Sequence, residues 1–251
     1  MATKPKRPAS YDLKAQDRKR NLAIQIGLTA IVVVFAVALV LYIVMSNDKK
    51  GGSANAEAVR ITSDSLVTKD GGTEPKAVLS LYEDFQCPHC RDFEQSFGPT
   101  INKLIDSGAI AADYYMVAIL DSSLNKNFST RAANAGYCVA DESKDAFRRF
   151  HTALFLRQPA EGTATAPDNA QLIEVARQAG AAGGVPDCVN NGLHTGMVQG
   201  LTESTGITST PTVRINGEDY NPTTPDALVA KVKEIVGDVP GLDNAATPAA
   251  S

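Results

Sequence analysis

Tryptophan is absent from the 251 residues, histidine occurs three times and cysteine four. No stretch matches a Walker phosphate loop, an HExxH metal helix or a GxGxxG dinucleotide turn, so nucleotide-dependent and zincin chemistry have no motif to rest on. Positive charge is scarce outside the first segment. Residues 1–21 hold seven basic against two acidic residues, a balance of +5, and the remaining 17 basic and 26 acidic residues leave −9. So acidic a body excludes a phosphate backbone, and with it nucleic acid, as partner. Internal repeats are lacking as well. Apolar residues are not: 43% hydrophobic against 21% charged is enough to build a core.

Residues 22–45 are an uncharged run of 24, with Gln25 and Thr29 its only clearly polar members. As a helix it would measure about 36 Å, enough to cross a hydrocarbon core of about 30 Å. The apolar region of a cleaved signal peptide is shorter, about 7–15 residues. An uncleaved membrane anchor is therefore expected, although Ala54-Asn55-Ala56 resembles a small-residue cleavage site. The basic residues before the run keep residues 1–21 in the cytoplasm, and Lys49 and Lys50 weaken that bias without reversing it. A single pass would put residues 46–251 outside the membrane, where disulfides persist. Residues 46–58 read as a flexible tether and residues 238–251 as a loose tail.

Between tether and tail the pattern mixes strands and helices. Residues 77–85 (AVLSLYEDF) alternate and read as a strand. Residues 88–106 read as a helix that Gly98-Pro99 should kink or break. Residues 110–120 suggest a second buried strand. Residues 129–194 are helical by composition, with breaks near 157–168 and 180–187. Thr212 to Ile215 is a short strand, Asn216-Gly217 a hairpin turn and Glu218 to Tyr220 the return strand. Residues 225–236 place Leu228, Val229, Val232, Ile235 and Val236 on one face of a closing helix.

Cys87-Pro88-His89-Cys90 falls where the first strand gives way to the first helix. Unpaired N–H groups and the helix dipole favour negative charge there, which lowers a thiol pKa and populates the nucleophilic thiolate. Pro88 costs nothing in the first turn, and His89 adds a donor or positive charge beside the sulfur. A stabilised thiolate favours the reduced form and makes the disulfide oxidising. Cys87 is thus the attacking sulfur and Cys90 the resolving one. A zinc site would need two further ligands at compatible spacing, and no second CxxC or HxxxH is present, so no metal is expected.

Four cysteines allow three pairings. With Cys87 and Cys90 as a redox pair, Cys138 and Cys188 are left for each other as a structural disulfide. Thr210-Pro211-Thr212 precedes the hairpin, an unusual place for proline unless the bond is cis. Glu83 and Asp84 are candidate proton acceptors, although acids at a strand end are ordinarily solvated. His151, within FRRFHTALF, reads as a core or helix-surface residue, and His194 has no local context.

YEDFQCPHC followed by a helix, then GITSTPTVRING, resembles the DsbA-like branch of the thioredoxin superfamily, and AANAGYCVADESKDAFRRFHTALF is similar to its inserted helical domain. The resemblance covers roughly residues 59–237. It implies a thioredoxin core (59–128 and 195–237) interrupted by a helical insertion (129–194), an α/β fold behind one N-terminal transmembrane helix. It implies that Pro211 is cis and packs against the CPHC sulfurs, with Thr210 presenting backbone to a substrate strand. Membrane-anchored actinobacterial relatives are reoxidised by a vitamin K epoxide reductase homologue, which is the partner the resemblance implies. The sequence departs from the family at Leu81, six residues before Cys87, where many members carry a buried acid. Asp84 or Glu83 would have to substitute.

The function expected is an extracytoplasmic thiol:disulfide oxidoreductase that donates its disulfide to reduced exported polypeptides and needs no cofactor. A reductase or isomerase is the alternative within the same chemistry. A non-catalytic, membrane-anchored binding module is the alternative outside it.

Overall fold

The computed structural model describes residues 57–70 and 72–242. The expected cytoplasmic tail, the membrane run, the tether up to residue 56 and the tail beyond residue 242 lie outside the described residues. Among the described residues, no helix is long and apolar enough to cross a membrane.

Five strands form one mixed sheet: β1 (Val59–Ile61), β2 (Val78–Glu83), β3 (Ala111–Met116), β4 (Thr212–Ile215) and β5 (Glu218–Asp219), in the order β1-β3-β2-β4-β5. β2 and β3 are parallel, and the other pairings are antiparallel. A parallel pair needs a crossover, which helix α1 (Pro88–Asp106) supplies. The central strand β2 is covered on both faces, and Leu79 and Leu81 are fully buried. Ser80, Tyr82 and Glu83 are buried as well, so the strand's alternation does not mark a solvent face.

β1 was not apparent from its three residues. It is held by a pairing remote in sequence, with Arg60 opposite Asp113 across the ladder and making two bonds of 2.7 and 2.6 Å to its carboxylate. α1 differs from expectation too, because it runs unbroken through Pro99. An interior proline costs about 3 kcal/mol of helix propensity. Ile101, Leu104 and Ile105, all fully buried beyond it, offset that cost. The final segment is also less loose than expected at its start, since Val239 and Leu242 are buried.

Between β3 and β4 the chain forms α2 (Phe128–Glu142), α3 (Lys144–Leu156), α4 (Asn169–Gln178), α5 (Val185–Asn191) and α6 (Thr195–Thr205). Helix α7 (Pro225–Val236) closes the fold against α1. α2 is small along its length and almost wholly buried. A Cβ at Gly136 would come within 2.5 Å of the Met116 sulfur and 3.5 Å of the Phe85 ring. The glycine therefore lets α2 lie directly against the sheet end that carries the CPHC turn.

Cys138 on α2 and Cys188 on α5 form a disulfide, 50 residues apart with Cα atoms 5.8 Å from each other. Closing such a loop contributes about 3–5 kcal/mol through the unfolded chain. Replacing both with Ser should lower unfolding stability by that amount in a denaturant titration, while Cys87 alkylation proceeds at the parent rate.

Candidate active site

Cys87 is the N-cap of α1 and Pro88 occupies its first turn. The Cys90 thiol donates to the Cys87 sulfur. That bond is the largest influence on Cys87, followed in the same direction by the Thr210 side chain and the backbone N–H groups of Cys90 and His89. Against the opposing cost of burial, they hold the Cys87 thiol at about 5, well below the ordinary thiol range. Cys90 is fully buried, and burial, reinforced by the same bond to Cys87, pushes its thiol far upward. The two sulfurs, both reduced here, are thus strongly unequal. His89 is exposed and Pro88 half-buried.

Across from the sulfurs the Thr210–Pro211 peptide is cis. The Thr210 carbonyl accepts from the Cys87 thiol at 3.4 Å. Beside it lies a hollow of about 380 Å³, lined by Phe93, Pro211, Val213, Tyr220 and Pro222 among others. A larger hollow of about 540 Å³, between α1 and α3, is lined by Asn102, Arg148 and Leu156 and does not include either cysteine.

Behind Cys90 sits a buried acid cluster. Glu83 Oε2 is 3.0 Å from His151 Nε2, and His151 Nδ1 is 3.8 Å from Glu94 Oε2. Burial raises Glu83 to about 8 and, joined by the charge of Glu83, raises Glu94 to about 8. Burial lowers His151. Around neutrality the acid and the imidazole are therefore both mainly uncharged, and the Glu83–His151 hydrogen bond joins two neutral groups.

The thioredoxin family profile, described as Thioredoxin, matches residues 69–234. DsbA from Mycobacterium tuberculosis in its reduced form shares 60% sequence identity at a TM-score of 0.74, covering 76% of this chain and 98% of that one. The disulfide bond oxidoreductase DsbG from Mycobacterium tuberculosis shares 60% at a TM-score of 0.76, covering 81% and 99%. This chain belongs to the thioredoxin family, in its DsbA-like branch. The serine/threonine-protein kinase PknE of Mycobacterium tuberculosis is 29% identical over 161 residues, 62% of this chain. The chain spans only 28% of the length of that kinase.

Within this family frame, Cys87, Cys90, Thr210 and Pro211 come together at one end of the sheet, and Cys138–Cys188 lies apart in the helical layer. Glu83 and Asp84, which strand-end position suggests are solvated, are instead 2% and 0% exposed. They also part company chemically. Asp84 Oδ1 accepts from the Gln86 N–H at 2.8 Å and Oδ2 from the Leu120 N–H at 2.9 Å. Burial raises it to about 6 against those bonds. Asp84 thus ties two loops together, whereas Glu83 Oε1 has no hydrogen-bond partner. Of the two candidates only Glu83 is available to Cys90, whose thiol its charge pushes upward.

Three residues near the site were not singled out for it from sequence. His151 was read as a core residue, and its pairing to Glu83 spans 68 residues. Glu94 folds back over Gly98, where a Cβ would meet its Oε2 at 2.8 Å. A glycine one helical turn after a glutamate was the only local sign of it. Gln158, just past α3, donates to the carbonyls of Phe85 at 3.1 Å and Cys87 at 2.8 Å, clamping the CPHC turn from the helical layer.

Proposed function

We propose that this protein is an extracytoplasmic thiol:disulfide oxidoreductase that donates the Cys87–Cys90 disulfide to reduced exported polypeptides. The observation that carries the reading is the inequality of the two sulfurs. In the oxidised protein a substrate thiolate attacks Cys87 Sγ and the Cys87–Cys90 bond breaks. Cys90 leaves as a thiolate that its burial disfavours, and it takes a proton from Glu83, protonated around neutrality. A second substrate thiolate then attacks the substrate sulfur of the mixed disulfide. Cys87 departs as a stable thiolate, and the substrate leaves with its own disulfide. The electrons remain on the Cys87–Cys90 dithiol until a membrane oxidant, proposed to be a vitamin K epoxide reductase homologue, removes them. Thr210 and the hollow beside Pro211 suit an extended peptide, with the Thr210 backbone as edge pairing and Phe93 and Tyr220 as apolar contacts.

A low Cys87 pKa has a direct readout. The thiolate is the reactive form, so alkylation by iodoacetamide should run at its plateau at neutral pH and fall as pH drops through about 5. A midpoint at the free-thiol value of about 8.5 would remove the basis for an oxidant. The same preparation should oxidise a reduced two-cysteine peptide stoichiometrically once converted to its disulfide form.

Location rests on the run at residues 22–45 and the basic residues before it. Alkaline phosphatase fused after Ser251 should be active, and a cytoplasm-dependent reporter at the same point silent. The reverse pattern would place the dithiol in a reducing compartment and defeat the oxidase direction.

A further inference from the structure

In the helical layer, both sulfurs of Cys138–Cys188 and a ring nitrogen of His194 lie within 4.8 Å of one another. Cys138 is buried, Cys188 half-buried, and the His194 side chain 22% exposed. His194 Nε2 is 2.8 Å from Asp141 Oδ2. A carboxylate on one imidazole nitrogen fixes the ring and its tautomer, as behind metal-ligating histidines. Nothing in the thiol exchange at Cys87 uses this arrangement.

The sulfur–sulfur bond is not the only link between these elements. One turn before Cys138, Asn134 donates to the Val189 carbonyl at 3.4 Å and accepts from the His194 N–H at 2.8 Å. One turn after it, the Glu142 carboxylate accepts from the N–H groups of Ala182, Gly183 and Gly184 at 3.0–3.1 Å. Together with the disulfide, these bonds hold α5 and the turn into α6 on α2.

We propose that Cys138, Cys188 and His194 form a redox-gated site for a soft divalent cation of the zinc type, closed while the disulfide stands and opened by its reduction. The reductant is a dithiol. One of its thiolates attacks the half-exposed Cys188 sulfur, the bond to Cys138 breaks, and Cys138 leaves as a thiolate that takes up a proton. The second thiol of the donor then attacks the mixed disulfide, Cys188 is released as a thiol, and the donor departs as a disulfide, two electrons having passed to this chain. The cation displaces the two thiol protons and binds two thiolates and one imidazole, leaving a fourth position for water. Zinc favours such a donor set, with Zn–S of about 2.3 Å and Zn–N of about 2.0–2.1 Å, and breaking the disulfide frees the two sulfurs to part to the separation those bonds need. Asp141 becomes the partner that orients the ligating histidine.

The test uses the full chain in detergent carrying Cys87→Ser and Cys90→Ser, so that the CPHC turn takes no metal, with Co²⁺ as the probe. After reduction with a phosphine the chain should bind one equivalent, with thiolate-to-cobalt charge-transfer absorption and tetrahedral ligand-field bands that Zn²⁺ abolishes. The disulfide form should show neither. His194→Ala should weaken the reduced chain's affinity at least tenfold, and Asp141→Asn by about tenfold. Both variants should unfold at the parent temperature when oxidised. Equal binding by the oxidised chain, or binding indifferent to His194→Ala, would overturn the proposal. So would a reduced chain that keeps its helical circular dichroism yet takes no Co²⁺. Should reduction itself unfold the helical layer, recovery of helicity on adding Zn²⁺ supports the site, and failure to recover overturns it.

Discussion

Replacing Cys90 with Ala should bring turnover to a halt while leaving Cys87 reactive. The thiol that donates to Cys87 is then gone, and since that bond is the largest influence holding Cys87 at about 5, the Cys87 pKa should rise. The thiolate that remains still attacks disulfides of exported proteins, but this chain no longer has a thiol of its own to resolve the adduct. Mixed disulfides between Cys87 and exported proteins should accumulate and be visible as reductant-sensitive bands on non-reducing gels. Multiple-turnover peptide oxidation should fall to background. Free Cys87 with no adducts would mean that substrates do not reach this sulfur, and the thiol-exchange reading would fail.

Glu83→Gln should be the next most damaging change. The amide keeps the shape of the acid but cannot hand a proton to the departing Cys90 thiolate. General-acid assistance of this kind is worth on the order of 10²–10⁴ in rate. The first exchange step, followed in stopped flow, should slow by about a hundredfold. The pH profile gives the more specific signature. Glu83 acts as donor only while protonated, so the parent rate should fall as pH rises through about 8, and the variant should lack that limb. Asp84→Asn makes the contrast. It weakens the ties to Gln86 and Leu120 and so should cost stability rather than remove the limb near pH 8. An unchanged profile in Glu83→Gln would show that water reaches Cys90 by another route.

The elements legible in the sequence are those whose cause is local. β4 coincides with the strand read at residues 212–215, and α7 with the helix read at 225–236. Asn216-Gly217 supplies the turn, with Asn216 at φ 51° and Gly217 at φ 88°. Thr224 caps α7 by accepting from the Ala227 N–H, and Pro225 opens it. The CPHC turn was legible for the same reason, since strand, cysteine, proline and helix follow one another directly. What stayed hidden depends on distance along the chain. β1 is a strand because β3, remote in sequence, pairs with it along Val59–Ile61 and buries Val59 and Ile61. Glu83 was named but took its meaning from His151 and Glu94, which α3 and α1 bring to it. Pro99 misled because a local rule about helices gave way to the burial of Ile101, Leu104 and Ile105.

The clamp from Gln158 bears on any attempt to transplant this chemistry. Moving the four residues of the CPHC turn into a bare thioredoxin scaffold would carry over both cysteines and the proline, but not the amide that meets the carbonyls of Phe85 and Cys87. In the graft those carbonyls would turn to water, and the turn would be free to sample other shapes around the same sulfurs. The helical layer is thus part of the reagent, and a recipient protein would need an equivalent of Gln158 before its borrowed cysteines behaved like these.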